Sequence, residues 1–169
     1  IGRETAILAS KLGATLFISG KNKERLNETF QMLEGSGHKQ SAADLSEEAN
    51  IYGLAEMAPA VDGMVPCAGI VKPFPVKFIQ PKHIHEIFQI NYYSVVLLTA
   101  ALIKSKKINP KASFVFISSV SSNHPYIGGA LYVSAKAAIE AYCKTLALEL
   151  SPQKIRANVV SPGLVKTSI

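Results

Sequence analysis

With 169 residues, of which 48% are apolar, the chain has material for one domain and a substantial core. Charged residues reach only 18%, so the surface is sparsely charged and open to subunit contacts. The formal charge is +6, but the cations are scattered and no basic block alternates with aromatics, which argues against a nucleic-acid partner. A basic balance of this kind is a solvated surface, or an attraction for anionic substrates or an acidic carrier protein. The two cysteines, Cys67 and Cys143, fall in a strand end and a helix. That pattern predicts free thiols in a reducing, cytoplasmic setting. No signal peptide is recognisable, and no uninterrupted apolar run reads as long enough to cross a bilayer.

The chain opens on Ile1-Gly2-Arg3-Glu4-Thr5-Ala6, which reads as a helix start of the kind that follows a strand and a glycine-rich turn. Ala6, Ile7, Ala9 and Leu12 share an apolar face, and Gly13 is a stop signal. A chain beginning at that point is expected to be part of a longer one. Residues 14–19 read as a parallel strand buried on both faces. Gly20-Lys21-Asn22 ends it and offers a cation where an acidic residue would otherwise accept hydrogen bonds from an adenosine ribose. The alternative is that Lys21 merely decorates a helix N-terminus. Residues 23–34 follow as a helix with Leu26, Phe30 and Leu33 on one face, broken by Gly35-Ser36-Gly37. A short strand is expected over 38–43, then Asp44-Leu45, then a helix over 46–57 with acids in its first turn.

Residues 61–65 read as the next strand, leading into Pro66-Cys67-Ala68-Gly69. Pro66 has no N–H to donate, and Cys67 reads as a small apolar filler. Pro73 and Pro75 make 70–79 a loop beside a cleft. A long helix is predicted from Pro81 to about Lys106, with Asn91 as a polar interruption among apolar neighbours. His83 and His85 are two residues apart and face different ways, and no other ligand spacing is present, so no metal is predicted. A buried strand over 113–117 runs into Ser118-Ser119. The following helix, about 131–150, carries Tyr132 and Lys136 on one face and is rich in small residues that permit close helix packing. One more strand spans 155–160, ahead of Ser161-Pro162-Gly163-Leu164-Val165-Lys166-Thr167. Strands alternating with helices predict an α/β, Rossmann-like, doubly wound parallel sheet, with ligands bound beyond the carboxyl ends of the strands.

Several of these motifs, in this order, carry a family resemblance. They are Ile1-Gly2, Asp44-Leu45, Ala68-Gly69, Asn91, Ser119, Tyr132-x-x-x-Lys136 and Pro162-Gly163. Ser119 lies 13 residues before Tyr132, and Asn91 lies 28 before Ser119. On these the chain resembles the short-chain dehydrogenase/reductase family, 3-oxoacyl-acyl-carrier-protein reductases and related carbonyl reductases among them. The resemblance covers nearly all of 1–169 and implies a single dinucleotide-binding and catalytic domain, truncated at both ends. It implies that Tyr132 is the general acid or base and that Ser119 holds the substrate oxygen. It implies that Asn91 holds a water that passes protons to Lys136. Ser118 is a rival for Ser119, one residue nearer the strand, but the spacing to Tyr132 favours Ser119. A free phenol titrates near ~10, and the Lys136 cation one turn on is expected to lower that value.

The cofactor contacts implied are Ile1, Lys21, Asp44, Leu45, Cys67, Ala68, Gly69, Tyr132, Lys136, Pro162, Gly163, Val165 and Thr167. With a cation at Lys21, the 2′-phosphate of NADP(H) is favoured over NAD(H). The family usually has Asn-Asn-Ala-Gly where this chain has Pro66-Cys67-Ala68-Gly69, which weakens the local cofactor contacts but not the fold. The expected partners are a small carbonyl or alcohol substrate, with an acyl carrier protein as its bearer, and a second copy of the chain. The second copy would give a homodimer or homotetramer through the helices around Asn91 and Tyr132. An idle NADP(H) sensor or scaffold on the same fold stays open. An epimerase or dehydratase sharing Tyr-x-x-x-Lys would need a larger sugar-nucleotide domain.

Overall fold

The computed structural model describes residues 1–166. Thr167, expected at the cofactor, lies outside them. In chain order the larger elements are α1 (Gly2–Lys11), β1 (Phe17–Gly20), α2 (Lys23–Gln31), β2 (Lys39–Ala42), α3 (Glu48–Met57) and β3 (Val61–Met64). Then come α4 (Pro81–Phe88), a π-helical segment (Gln89–Tyr93), α5 (Ser94–Lys104), β4 (Ile108–Ile117), α6 (Ala130–Glu149) and β5 (Arg156–Val160). Every strand pairing is parallel, in two groups: β1 with β2, and β3-β4-β5 with β4 in the middle. The α/β, Rossmann-like arrangement read from the sequence is present.

The core sits where α6 covers the β3-β4-β5 sheet. Ala112, Phe114 and Phe116 alternate onto one face of β4 and are fully buried there, as a period of two requires. Ile139, Cys143, Leu146 and Leu150, spaced at three and four along α6, pack against them together with Ile155. Phe116 meets Phe114 and Tyr142 edge-on, with centroids 6.2 and 5.9 Å away. α1 is held to α2 by Arg3, which pairs with Glu28 at 3.0 Å and donates to the Thr29 hydroxyl at 2.9 Å.

Four expectations need correction. The first strand begins at Phe17 rather than residue 14, and none of its residues is fully buried. It hydrogen-bonds only β2, and its other edge carries no strand among the described residues. β4 begins at Ile108, five residues early, because Asn109 and Pro110 run on as strand. Lys111 adopts a positive φ of 67° and the register against β3 shifts between Val61 and Gly63. The outer face of β4 is only half-buried, so the strand alternates instead of being covered on both sides. Finally, the helix from Pro81 is not uniform, since Gln89–Tyr93 is a π turn with Asn91 at its centre.

Pro81–Lys104 forms 24 continuous helical residues, long and apolar enough by length and composition to span a bilayer, although polar residues interrupt its apolar run. Several of these face inward. Asn91, Ser94 and Thr99 are completely buried, and the hydroxyls of Ser94 and Thr99 are satisfied by carbonyls four residues back, at 2.8 and 2.7 Å. The run packs against α3 and α6.

Candidate active site

The carboxyl ends of β3, β4 and β5 open onto a cavity of about 220 Å³. β3 delivers Cys67 and Gly69 to its wall, β4 delivers Ile117, Ser118 and Ser119, and β5 delivers Pro162, Gly163 and Val165. Tyr132 and Lys136 enter from α6, and Ile1 closes one side. Two bonds across the strand ends fix this edge: the Ser118 N–H donates to the Val160 carbonyl at 2.8 Å, and the Val120 N–H donates to the Pro162 carbonyl at 3.0 Å.

Lys136 is 6% exposed, and its Nζ donates to the Ile117 carbonyl at 2.9 Å, tying α6 to the end of β4. The ammonium also lies 5.7 Å from the centroid of the Tyr132 ring. Burial pulls the Lys136 pKa below its ordinary 10.5, against the pull of the neighbouring Cys67. Burial pushes the Cys67 thiol up, with Lys136 drawing it back. The phenol of Tyr132 does not behave as expected. Its pKa lies above the ordinary 10.0, because burial outweighs a hydrogen-bonding interaction with the Ser119 hydroxyl, and Tyr126 adds to the rise. Desolvation sets the direction here, and the Lys136 ammonium is engaged by a backbone carbonyl.

The two serines separate by partner. Ser118 is buried, and its Oγ donates to Glu140 Oε1 at 2.6 Å. Ser119 Oγ accepts from the N–H and the hydroxyl of Ser121, at 3.2 and 2.8 Å. The Ser119 hydroxyl lies within reach of the Tyr132 phenol, whereas Ser118 is engaged by Glu140, which favours Ser119 over its rival.

Asn91 lies just beneath the cavity, beside Ala68, in a tight recess shared with Pro66 and Lys136. Both hydrogens of its amide are used, by the carbonyls of Ile70 and Ile87 at 2.9 Å each, and Oδ1 accepts from the Ile70 N–H at 3.2 Å. The side chain is a strut for the Gly69-Ile70 turn. Gly69 is fitted to that strut: a Cβ there would lie 2.9 Å from Asn91 Oδ1 and 3.6 Å from Lys136 Nζ.

A second group gathers at the ends of β1 and β2, outside the cavity lining. Lys21 Nζ pairs with Asp44 Oδ2 at 2.7 Å, a contact the sequence reading did not connect. Lys21 and two hydrogen bonds from Ser46, at 3.0 Å from its N–H and 2.7 Å from its hydroxyl, hold the Asp44 carboxyl at about 2. The Leu45 carbonyl reaches Gln89 Nε2 at 3.5 Å, linking this group to the π segment. The loop after Gly69 is tied down as well. The Phe74 N–H donates to the Gly128 carbonyl at 2.8 Å, Phe74 stacks on His83 at 4.0 Å, and Lys72 pairs with Glu86. Glu140 escaped the sequence reading. Its one signal was an acid in register with Tyr132 and Lys136 at successive turns of α6.

A parallel sheet whose carboxyl edge gathers a phenol, an ammonium and a hydroxyl around one cleft defines a class of dinucleotide-dependent oxidoreductase. The sequence pattern of the short chain dehydrogenase family matches residues 1–169, and the chain belongs to that family of NAD(P)-dependent oxidoreductases. It is 30% identical to a cyclopentanol dehydrogenase of Comamonas sp., over 99% of this chain and 69% of that protein. It is 27% identical to a 3-oxoacyl-acyl-carrier-protein reductase of Rickettsia felis, over the whole of this chain and 70% of that one. Among solved structures, a short-chain dehydrogenase/reductase of the glucose/ribitol dehydrogenase type from Brucella melitensis superposes with a TM-score of 0.89 at 26% identity. That match covers 99% of this chain and 70% of the other.

Replacing Gly69 with alanine forces the amide of Asn91 aside. The Gly69→Ala variant of the full-length protein should lose about 1–3 kcal/mol of stability by denaturant titration, the usual cost of overpacking. It should also lose turnover at temperatures where it stays folded. Wild-type stability and turnover together would show that the turn has room to spare.

Proposed function

We propose that this chain interconverts a carbonyl and a secondary alcohol with NADP(H), and that Tyr132 moves the proton. The observation that carries the reading is the meeting of Tyr132, Ser119 and Lys136 on one cavity whose far wall is Pro162, Gly163 and Val165. When bound, the nicotinamide supplies the hydride, which no side chain can donate. Ser119 donates a hydrogen bond to the substrate oxygen and stabilises the charge that develops there. Tyr132 gives its proton to that oxygen as the carbonyl is reduced, and takes one back in oxidation. A phenol pKa raised by burial keeps Tyr132 protonated at neutral pH, the form that reduction needs. Lys136 fixes α6 against the end of β4 and keeps a positive field beside the phenol. Asn91 acts by shaping the Gly69-Ile70 turn.

The residues fit a dinucleotide. Gly69 and Gly163 leave the cleft wall low on two sides, and Ile1 and Cys67 continue it toward the start of α1. Lys21 is the group for a 2′-phosphate. Its side chain is 75% exposed, and a surface ion pair of this kind contributes only ~0–1 kcal/mol. Exchanging Asp44 for a phosphate therefore costs Lys21 little. Asp44 and Leu45 stand for the adenine end. A 3-oxoacyl thioester, free or on an acyl carrier protein, is the first substrate to assay. Over 130–141 of α6 the exposed residues Ser134, Ala137 and Ala141 are small, which suits a homodimer or homotetramer through the helices around Asn91 and Tyr132. A reducing, cytoplasmic setting suits the free thiols Cys67 and Cys143.

The test is NADPH oxidation by the full-length protein with ketones and 3-oxoacyl thioesters. Tyr132→Phe should lower turnover by about 10²–10⁴ while NADPH binding, followed by fluorescence, is unchanged. Retained turnover removes Tyr132 from the proton path. Because the phenol titrates above its ordinary value, the reductive rate should not decline through Tyr132 until the pH passes about 10. The oxidative rate needs phenolate and should climb over the same alkaline range. An oxidation rate that peaks in acid contradicts the assignment. Lys21→Ala should weaken NADPH by about tenfold, or ~1.4 kcal/mol, and leave NADH within about twofold. Equal losses for the two would discard the phosphate contact. NADPH bound with no turnover on any member of the panel favours the cofactor sensor.

A further inference from the structure

We propose that Glu140 is a positioning residue that sets the direction of the Ser119 hydroxyl by clamping the segment that contains it. The inference rests on the reading in which Ser119 and Tyr132 serve the substrate oxygen. Glu140 lies on α6, one turn beyond Lys136 and two beyond Tyr132, so all three share a face. A single oxygen, Oε1, takes hydrogen bonds from Ser118 Oγ and from Ser122 Oγ, both at 2.6 Å. These two serines bracket Ser119.

The geometry between the clamped ends leaves Ser119 little freedom. Residues 120–122 form one tight turn, in which the Ser122 N–H donates to the Ser119 carbonyl at 3.0 Å. Inside that turn the Ser119 oxygen is already engaged by Ser121. Each serine hydroxyl has one hydrogen. Ser118 has a second acceptor in the Lys136 carbonyl at 3.3 Å, and Ser122 has one in the Ser119 carbonyl at 2.8 Å. In both cases the carboxylate is nearer, and a charged acceptor is the stronger one. The hydroxyls of Ser118 and Ser122, with a further pull from Lys144 and Ser161, hold the Glu140 carboxyl below its ordinary 4.5 against burial. At neutral pH it is a pure acceptor, which forces both serines to donate to it.

The helix that carries the phenol thus grips the loop that carries the hydroxyl at Ile117, Ser118 and Ser122. Without Glu140 the hydrogen bonds that remain between α6 and this segment, Lys136 to Ile117 and Ser118 to the Lys136 carbonyl, both lie on the near side of Ser119. A shift of about 1 Å in a positioned group can cost on the order of 10²-fold in rate.

The experiment uses the full-length protein, NADPH and acetoacetyl-CoA, or the ketone that the wild type reduces fastest. Glu140→Ala should lower kcat by about 10- to 100-fold, with the NADPH dissociation constant unchanged within about twofold. Glu140→Gln keeps an oxygen that can accept from both serines, and should stay within about threefold of wild type. In a Ser119→Ala background, Glu140→Ala should cost no more than about a further twofold, since it acts through a hydroxyl no longer present. Where Glu140→Ala does not fold, Ser122→Ala, which opens one end of the clamp, should lower kcat by about threefold in the wild type and not in Ser119→Ala. Equal losses in both backgrounds, or a Gln variant as impaired as the Ala variant, overturn the proposal and leave Glu140 a structural residue. Ser119→Ala with wild-type turnover, or a wild type without turnover, overturns the reading of the site itself and the clamp with it.

Discussion

A buried ammonium group needs hydrogen-bond partners, because taking a charge out of water is costly unless it is paired. Lys136 meets that need at the Ile117 carbonyl, the last residue of the central strand of its sheet. The need is strict, and it fixes where α6 can sit. With α6 fixed, the phenol of Tyr132 is carried to the mouth of the cleft. The apolar spine Ile139, Cys143 and Leu146 is at the same time laid onto Phe114 and Phe116. One charge therefore registers the cleft-facing side of the helix and its packing face together. The same charge stands under Gly69, so the β3 turn is drawn close and can bear no larger residue without moving Asn91.

Much of this was legible in the sequence, and the residues show why. Tyr132 and Lys136 lie on one helix at one turn's spacing, so their shared face follows from helix geometry alone. Gly69, Ser119 and Pro162 each follow a β-rich run, and in a parallel sheet such positions converge on one edge. What could not be read depended on contacts distant in sequence. The ion pair of Lys21 with Asp44 crosses from the end of one strand to the end of the next, and no local pattern announces it. The half-burial of β1 depends on which strands lie beside it, not on Phe17 or Ile18. The length of β4 was hidden because proline reads as a stop, whereas Pro110 sits where the register slips and its missing donor is tolerated.

The direction of the Tyr132 pKa was misjudged for a related reason. Spacing brings a cation near a phenol but does not say where the cation points. Lys136 reaches beyond the ring, and desolvation then decides the balance. Asn91 gives both amide hydrogens to backbone carbonyls and braces the turn beside the cleft.

The π turn at Gln89–Tyr93 has a wider meaning for the helix that contains it. Each residue of an α-helix advances the side chains by about 100°. A π turn absorbs an extra residue locally, so the helix after it keeps its facing. Ile87, Asn91, Val95, Thr99 and Leu102 accordingly share one buried stripe. Deleting a single residue here would restore a regular ladder with α5 still against α3, but it would close the widened turn in which Asn91 sits. Length in this stretch is therefore as constrained as composition, although nothing in the residue types themselves demands it.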